Sequence, residues 1–414
     1  MYKTVSRCLS CESPNLLPFL DLGQMPPPNN LLDSDDPDVH ESVYPLGLQA
    51  CQKCGLVQLT NIVDPEEMFT HYVYIPSTAK TMVIHFTELA NKVLKKISIT
   101  PGSLVVDIGS NDGTLLSVFK QKGMSVLGID PAENLVAAAN NAGIPSIASF
   151  FSQETAKKVV DDYGHPKIIT ATNVMAHVPD TNSFVAGVRT LLDSDGTFVA
   201  EFPYGLELLK RYVFDTVYHE HVFYFTMSPL NKLFSRHGLE IYHIDKLPTI
   251  HGGSIRIYVQ HKGRKKGFSV DESVGSLLDK EKIYGLDTPN PYMRFQKRAY
   301  SVRDQFTDFL EEQEKAGKTV IGYGASAKAT VLLNFCNVTR KQLPLVVDSV
   351  PLKHGKWIPG VRIPIYPETD FLSFKADFGV IFPWNFANEI ITKNPDFVSS
   401  KGKFVIAFPK LHFA

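Results

Sequence analysis

The stretch "FDTVYHEHVFYF", residues 214–225, places two histidines on either side of a carboxylate inside an apolar segment. His219, Glu220 and His221 could transfer protons, ligate a metal, or form a hydrogen-bonded network that only stabilises the core. Metal ligation would require a third ligand, and no neighbouring residue identifies one. The rest of the chain has to decide between these three interpretations.

Four of the five cysteines form two CxxC pairs near the N-terminus. Each pair can present two thiolates from one tight turn, and four thiolates complete a tetrahedral zinc site that has no open position. We therefore expect a structural zinc ion, with Gly55 allowing a close backbone turn after the second pair. Four unrelated reduced cysteines are the alternative, and a redox pair is disfavoured because neither CxxC begins an obvious helix. The expected ligands are Cys8, Cys11, Cys51 and Cys54.

A glycine loop follows the apolar strand of "VVDIGSNDGTLL" and precedes a helix. Its two glycines, Gly109 and Gly113, enclose Asp112, and this spacing differs from the GxGxxG of dinucleotide sites. A carboxylate inside the loop would repel a phosphate and favour a sulfonium or amino group. Asp130, at the end of the next strand, is placed to accept hydrogen bonds from two ribose hydroxyls. These features favour S-adenosylmethionine as the ligand over a tight turn that binds nothing.

Ligands of open α/β sheets bind outside the carboxyl ends of the strands. "ATNVMAHVPD" places Asn173 at such an end and His177 just beyond it, and "AEFPY" does the same for Tyr204. "AEFPY" leads directly into the histidine-bearing stretch, which is therefore expected above the cleft that holds the methyl donor. Because two segments deliver His177 and His221 to one sheet edge, we favour chemistry over a core role for these histidines.

A second glycine loop, "GYGASA", fits G-x-G-x-x-A and lies between a strand and a helix. Asp348 follows it at the end of the next strand, which by itself would support a nicotinamide site. Lys328 and Lys353 would equally well hold the diphosphate of a nucleotide-linked substrate. A relic of the fold that binds nothing is the third alternative.

The composition excludes several classes of protein. The chain has 414 residues, 44% hydrophobic and 21% charged, which is typical of a globular protein with two or three domains. A formal charge of −1 gives no electrostatic case for nucleic acid or an anionic membrane. No run approaches the ~20 apolar residues of a membrane span, and the N-terminal sequence has no apolar core of a signal peptide. Together with the paired cysteines, these features predict a cytoplasmic protein.

Alternating apolar strands and helix-like segments predict an α/β protein with a mostly parallel sheet covered on both faces. We expect an N-terminal zinc-binding domain over residues 1–65 and a central class I methyltransferase domain with a doubly wound sheet over 66–262. A C-terminal Rossmann-like α/β domain would occupy residues 263–414. "LEIYHID" and "GGSIRIYVQH" are expected to close the central domain as an antiparallel pair.

In combination, these motifs resemble those of the sugar C-methyltransferases. The four-cysteine head, "DIGSNDGTLL", "NVMAHV", "FDTVYHEHVFYF", "HGGSIRIYV" and "GYGASAKA" occur in that order and span nearly the whole chain. The resemblance implies an enzyme that uses S-adenosylmethionine to methylate a carbon, most often C3, of a nucleotide-linked 4-keto-6-deoxy sugar. It also implies that the C-terminal domain holds the nucleotide while the sugar reaches into the cleft between the two α/β domains. The sequence predicts no particular oligomeric state and is compatible with a monomer.

The resemblance also assigns roles to individual residues, with His221 as the base. The expected catalytic residues are His221, Glu220, Tyr218, His177 and Tyr72; the residues expected to bind S-adenosylmethionine are Asp107, Gly109, Asn111, Asp112, Asp130 and Asn173; those expected to bind the sugar nucleotide are Tyr74, Tyr204, His219, Tyr224, Gly324, Ser326, Lys328, Asp348 and Lys353. Two alternatives remain. One is an NAD-dependent nucleotide-sugar oxidoreductase or epimerase that uses "GYGASA", and the other is a zinc-headed binding module with an inert methyltransferase fold.

Overall fold

The structure, a computed structural model, describes the chain apart from residues 37, 71–74, 79, 251 and 266. Tyr72 and Tyr74, expected at the catalytic site and the sugar, therefore lie outside the described residues. Three groups of elements follow one another along the chain; the first is built on a two-stranded and a four-stranded sheet, and each of the other two on a seven-stranded sheet. Among the helices of the described residues, none combines the length and the apolar composition that crossing a membrane requires.

The N-terminal part is an antiparallel β-structure with two CxxC turns. Its strands are β1 (Tyr2–Thr4), β2 (Leu16–Met25), β3 (Tyr44–Cys51), β4 (Val57–Leu59) and β5 (Asn61–Val63). β2, β3 and β4 pair in that order, and β1 pairs with β5. Leu46, Leu48 and Ala50 of β3 are buried in the large hydrophobic core that this sheet shares with the rest of the chain, and the sheet brings the two cysteine turns together.

The middle part is a seven-stranded sheet covered by helices on both faces. Its helices are α1 (Pro65–Phe69), α2 (Lys80–Ile97), α3 (Thr114–Gln121), α4 (Glu133–Asn141), α5 (Gln153–Tyr163), α6 (Thr181–Leu191), α7 (Gly205–Arg211) and α8 (Met227–Arg236). Its strands are β6 (Leu104–Ile108), β7 (Ser125–Asp130), β8 (Ser146–Ala148), β9 (Ile168–Thr172), β10 (Thr197–Pro203), β11 (Phe223–Tyr224), β12 (Leu239–Leu247) and β13 (Ser254–His261). All but β11 join this sheet.

The strand order of this sheet is β12-β13-β10-β9-β6-β7-β8, and β13 runs antiparallel to both neighbours. Val106 and Ile169 of the central strands are fully buried, as expected for parallel strands covered on both faces. From β6 the chain passes to β7 on one side and later to β9 on the other. The loops that follow β6 and β9 therefore separate at a topological switch point, where open α/β sheets bind their ligands. The predicted methyltransferase sheet is confirmed, including its antiparallel closing pair.

The C-terminal part is a second α/β unit. Its helices are α9 (Glu272–Tyr284), α10 (Asn290–Lys315), α11 (Ala327–Phe335), α12 (Ala387–Lys393) and α13 (Pro395–Ser399). Its strands are β14 (Val320–Tyr323), β15 (Val346–Asp348), β16 (Trp357–Ile358), β17 (Ile363–Pro367), β18 (Phe378–Ile381), β19 (Lys403–Ile406) and β20 (His412–Phe413). The strand order is β16-β17-β15-β14-β18-β19-β20, parallel except for the two edge strands. The second glycine loop follows β14, which β15 and β18 flank, so it also lies at a switch point.

The three parts share structure at their junctions. β11 of the histidine-bearing stretch extends the N-terminal sheet by pairing with β4, and the Leu59 amide donates to the Val222 carbonyl at 2.9 Å. The long connection between β2 and β3 crosses to the C-terminal part, where Arg362 pairs with Glu41 at 2.6 Å. The residues expected to do chemistry therefore lie where all three parts meet.

Candidate active site

The four paired cysteines converge in the N-terminal part. Their sulfur atoms all lie within 4.8 Å of one another, and the Cys8–Cys54 and Cys11–Cys51 sulfur pairs are each 3.6 Å apart. Zinc–sulfur bonds of about 2.3 Å in a tetrahedron place neighbouring sulfurs about 3.8 Å apart. None of the five cysteines, all within the described part of the chain, forms a disulfide. The four thiolates therefore suit a structural zinc ion, as the sequence predicts.

Both cysteine turns use the same backbone shape. The Gly55 amide donates to the Cys51 carbonyl at 2.9 Å with φ of +88°, and the Glu12 amide donates to the Cys8 carbonyl at 2.8 Å with φ of +59°. Glycine adopts this left-handed conformation without strain, whereas Glu12 does so at a cost. The match between the two turns supports a single ion held by both.

The first glycine loop leaves β6 through a left-handed turn. Gly109 has φ of +69°, its amide donates to the Ile129 carbonyl at 2.7 Å, and a Cβ placed there would come within 2.1 Å of Val174. Asn111 also adopts a positive φ, of +51°. Only glycine fits at position 109, and the contact with Val174 joins this loop to the one that follows β9.

The acids around this loop occupy distinct environments. Asp107 is buried and accepts from the Thr170 hydroxyl at 2.6 Å, and burial raises its pKa to about 7. Asp130 accepts from the Asn111 amide at 2.8 Å and from the Ala132 amide at 2.9 Å, while burial raises its pKa. Each carboxylate oxygen of Asp130 keeps a second lone pair, so it can also accept from a ribose hydroxyl.

Asp112 closes the loop onto α3. Its carboxylate accepts from the amide and the hydroxyl of Thr114, at 3.2 and 2.5 Å, and from the Ser77 amide at 3.3 Å. The groups that this loop offers to a ligand are thus carboxylates and backbone atoms. Such a set suits the cationic sulfonium and the hydroxyls of S-adenosylmethionine and does not suit a phosphate.

The loop after β9 delivers Asn173 and His177. Asn173 adopts φ of +58°, and its amide donates to the Glu201 carbonyl at 2.7 Å. His177 ends a 3₁₀ turn, Met175–His177, and its ring stacks between Phe69 at 5.5 Å and His221 at 5.1 Å. Its Nε2 is buried without a hydrogen-bond partner among the described residues, and burial lowers its pKa to about 4. His177 is therefore a neutral imidazole near neutral pH.

His221 is brought next to His177 by a turn within the histidine-bearing stretch. Its amide donates to the Tyr218 carbonyl at 2.9 Å, and the rings of Tyr218 and His221 lie 4.0 Å apart. Nδ1 of His221 lies 3.1 Å from the carbonyl oxygen of Thr216, which also accepts from the Tyr224 hydroxyl at 3.2 Å. A carbonyl oxygen only accepts, so Nδ1 carries the proton and Nε2 keeps its lone pair.

The two residues at the tip of this turn point elsewhere. His219 is fully buried, its Nε2 lies 3.3 Å from the Tyr44 carbonyl, and burial lowers its pKa to about 4. Glu220, which is 5% exposed, accepts from the side-chain amide of Asn29. The structure thus brings Tyr218, His221, Tyr224 and His177 together, and places His219 and Glu220 against the N-terminal part.

Tyr204, expected at the substrate, also has a buried environment. Its hydroxyl donates to Glu281 of α9 at 2.5 Å, and the same carboxylate accepts from the amides of Met227 and Ser228. Burial raises the pKa of Tyr204. The structure places this tyrosine in the packing of α9 against the start of α8.

The second glycine loop retains the features of a ligand site. Gly324 has φ of +88°, and a Cβ there would come within 2.5 Å of Pro383. Ser326 precedes α11, and its hydroxyl is buried with no hydrogen-bond partner in the described part of the chain. Asp348 accepts from the Val350 amide at 2.8 Å and pairs with Lys353 at 3.1 Å, and Lys353 also donates to the Ala325 carbonyl at 2.8 Å. Asp348 and Lys353 are thus fixed beside the loop.

Lys328 lies at the junction with the middle part. Its Nζ donates to Asn385 at 2.7 Å and lies 4.3 Å from the centre of the Trp384 ring. Burial lowers its pKa, and the nearby Asp215 carboxylate opposes that shift. Lys328 therefore has its contact partners within the C-terminal part and interacts electrostatically with Asp215 across the junction.

Sequence reasoning missed four residues that contact His221 or its neighbours: Asn29, Asp215, Thr216 and Trp384. Asp215 is 1% exposed and accepts from the indole N–H of Trp384 at 2.7 Å. Thr216 acts through its backbone carbonyl, which no side-chain pattern reveals. A carboxylate inside an apolar stretch was the available signal for Asp215, because buried acids require partners.

Comparisons with known proteins cover the whole chain. Three family models match: a zinc-binding domain over residues 8–69, a methyltransferase domain over 83–244 and a C-methyltransferase C-terminal domain over 249–409. The C-methyltransferase NovU of Streptomyces niveus is 33% identical over 408 residues, which cover 99% of this chain and 96% of that protein. The second glycine loop lies within the C-terminal match, so the oxidoreductase alternative is not supported.

Other relatives match only part of the chain. The ubiquinone biosynthesis O-methyltransferase of Pseudomonas aeruginosa strain LESB58 is 32% identical over 97 residues, which cover 23% of this chain and 42% of that protein. The magnesium protoporphyrin IX methyltransferase of Synechocystis PCC 6803, solved with bound S-adenosylmethionine, shares 16% identity at a TM-score of 0.34, covering 46% of this chain and 86% of that chain. On the full-length match, this chain belongs to the C-methyltransferase family and is an S-adenosylmethionine-dependent enzyme with a zinc-binding head.

Proposed function

We propose that the enzyme methylates C3 of a nucleotide-linked 4-keto-6-deoxy sugar, with His221 as the base. The observation that carries this proposal is the hydrogen bond from Nδ1 of His221 to the Thr216 carbonyl, which puts the ring proton on Nδ1 and makes Nε2 the basic nitrogen. The choice of substrate follows from the resemblance of the motifs to sugar C-methyltransferases. The acidic loop after β6, the imidazole pair and the second glycine loop each supply a part that such a reaction requires.

The first step is the removal of a proton from carbon. A ketone at C4 makes the neighbouring C–H bond acidic, because the charge that remains can move onto the ketone oxygen as an enolate. A neutral imidazole is suited to accept that proton, because its unprotonated nitrogen is a base. Nε2 of His221 takes the proton, and the imidazolium that forms keeps its Nδ1 hydrogen bond to Thr216.

The second requirement is stabilisation of the enolate oxygen. Burial keeps His177 neutral, with a pKa of about 4, so it offers a hydrogen bond without a competing positive charge. The Tyr218 ring packs 4.0 Å from the His221 ring, and we assign its hydroxyl as the second donor. Donors that are fixed before the charge develops stabilise it most, because they need no reorganisation during the reaction.

The third step transfers the methyl group. S-adenosylmethionine supplies it from a positively charged sulfur. The enolate carbon forms the new bond, the carbon–sulfur bond breaks, and the sulfur leaves as a neutral thioether. The contact between Gly109 and Val174 and the stack of His177 on His221 connect the cofactor loop to the base over a short path. Transfer requires the reacting carbon and the methyl group to lie ~3–3.5 Å apart.

The nucleotide is assigned to the loop after β14. Gly324 permits close approach to the backbone, and the Ser326 hydroxyl is available as a donor at the start of α11. Asp348 and Lys353 lie at the end of the adjacent strand, where ribose and phosphate groups bind in this type of fold. Tyr72, expected to be catalytic, and Tyr74, expected at the sugar, lie outside the described residues and keep these assignments.

The test is mass spectrometry of reactions with a panel of nucleotide-linked 4-keto sugars, which should show one methylene unit gained per product. NMR of that product decides between C3 and C5, since the same ketone activates both. A thermal-shift panel addresses the cofactor separately: S-adenosylhomocysteine should raise the melting temperature and NAD should not. Absence of methylated product from every keto sugar in the panel would overturn the substrate proposal.

A further inference from the structure

We propose that Trp384 and Asp215 position the base, so that docking of the C-terminal part sets the orientation of His221. The proposal rests on the proposed role of His221. It assigns a function to a tryptophan and a buried carboxylate that the reaction itself does not use. Neither residue touches the imidazole, so both act as positioning residues.

Trp384 contacts the 3₁₀ turn Phe214–Thr216, which lies just before the Tyr218–His221 turn. The middle residue of this 3₁₀ turn, Asp215, is 1% exposed, and its Oδ2 accepts from the Trp384 indole at 2.7 Å. The next residue supplies the carbonyl that holds Nδ1 of His221. Any shift of the Asp215 backbone therefore moves the carbonyl that orients the base.

Packing fixes the same turn from the C-terminal side. The Phe214 ring lies 5.2 Å from Phe335 and 5.1 Å from Phe408, both of the C-terminal part. A Cβ at Gly252 would come within 2.6 Å of the Trp384 ring, so the indole has little room to move on that side. The position of the turn is thus fixed by packing against side chains of the domain assigned to the nucleotide.

Lys328 connects Trp384 to the second glycine loop. This lysine lies in the first turn of α11, directly after the loop, and its ammonium packs over the Trp384 ring at 4.3 Å. Its Nζ donates to Asn385, the neighbour of Trp384, at 2.7 Å. A cation over an indole stabilises the ring position. A nucleotide bound at this loop would therefore act on the same side chains that hold the base.

The variant Trp384→Phe removes the indole N–H while it keeps an aromatic ring. We expect turnover to fall roughly 10- to 100-fold, because small displacements of a catalytic group have effects of that size. The KM for S-adenosylmethionine should stay unchanged, since the contacts described for Trp384 are with Asp215 and with Lys328 beside the second glycine loop. The chain offers a matched control in its other tryptophan, Trp357, whose indole N–H has no hydrogen-bond partner among the described residues. Trp357→Phe makes the same chemical change and should keep wild-type turnover.

The carboxylate gives a second test. Asp215→Asn keeps an oxygen that can accept from the indole, whereas Asp215→Ala removes it. We expect the asparagine variant to retain most of the turnover that the alanine variant loses. Equal loss in both variants would show that the hydrogen bond to Trp384 is not what matters, and would overturn the proposal.

A readout without substrate separates this proposal from the proposed function. Diethyl pyrocarbonate modifies neutral imidazoles, and peptide mass spectrometry reports each histidine. The modification rate of His221 should rise in Trp384→Phe and stay at the wild-type value in Trp357→Phe. The buried His219 should resist modification in all variants, which reports an intact fold, and the exposed His412 serves as the reference. Equal His221 rates in both tryptophan variants would overturn the positioning role even if the wild-type enzyme methylates a keto sugar. Changed rates in an enzyme that methylates no keto sugar would overturn the substrate alone.

Discussion

Nδ1 of His221 lies 3.1 Å from the carbonyl oxygen of Thr216. This contact selects one tautomer, because only the protonated nitrogen can donate to a carbonyl. A second contact restricts the plane of the ring, because the Tyr218 ring packs 4.0 Å from the His221 ring. A base with a defined basic nitrogen and a defined orientation is what proton removal from carbon requires.

We expect His221→Asn to lose turnover by about 10²- to 10⁴-fold, the usual contribution of a positioned general base. The asparagine amide can still donate to the Thr216 carbonyl, so the local fold should persist while the Nε2 base is absent. Steady-state methylation, zinc content and the thermal shift with S-adenosylhomocysteine provide the measurements. His412→Asn is the matched control, because His412 is exposed and also directs Nδ1 to a carbonyl, that of Lys410. Near-normal turnover of His221→Asn would remove this residue from the base role.

The sequence predicts much of the framework correctly, for identifiable reasons. The cysteine ligands follow from two matched CxxC pairs, whose chemistry admits few alternatives. The two strand–loop–helix units follow from apolar strands that end in glycine loops, and Gly109 and Gly324 both adopt the positive φ that such loops need. Local pattern determines these features, so a single sequence is enough.

Side-chain direction within the histidine-bearing stretch could not be predicted in the same way. In an extended strand His219 and His221 would share a face, but a turn closed between the His221 amide and the Tyr218 carbonyl separates them. Hydrogen-bonded pairs such as Tyr204 with Glu281 and Asp215 with Trp384 could not be predicted either. These pairs join residues far apart in sequence, and only the assembled domains bring them together.

Zinc should support catalysis from a distance. β4 of the zinc-binding part pairs with β11, so loss of the ion should loosen the strand that follows His221. We expect Cys51→Ser to lose zinc, melt at a lower temperature and lose turnover, although no cysteine contacts the imidazoles. Cys336→Ala is the matched control, because Cys336 is buried outside the four-sulfur cluster. A zinc-free Cys51→Ser enzyme with wild-type turnover would contradict the coupling.

Asp130 should contribute to binding of S-adenosylmethionine. Its carboxylate already accepts from two backbone amides and is expected to accept from ribose hydroxyls as well. Hydrogen bonds to a charged group contribute about 1.5–3 kcal/mol, so Asp130→Ala should weaken binding of S-adenosylhomocysteine roughly 10- to 150-fold. Isothermal titration calorimetry measures this change, with Asp161→Ala on the exposed face of α5 as the control. Equal affinities of the two variants would rule out the ribose contact.

Acid stability should depend on His219. Its pKa falls from an ordinary 6.5 to about 4 because burial disfavours the cation. The unfolded chain therefore binds a proton that the folded chain does not, and stability is lost as the pH falls from 6.5 towards 4. For this fully buried ring the loss amounts to about 3 kcal/mol by pH 4.

His219→Gln keeps a donor for the Tyr44 carbonyl but cannot titrate, so its melting temperature should fall less than that of the wild type between pH 7 and pH 4.5. His412→Gln changes an exposed histidine and should follow the wild type. If the melting temperatures of all three proteins fall by the same amount between pH 7 and pH 4.5, at equal zinc content, folding does not oppose the protonation of His219.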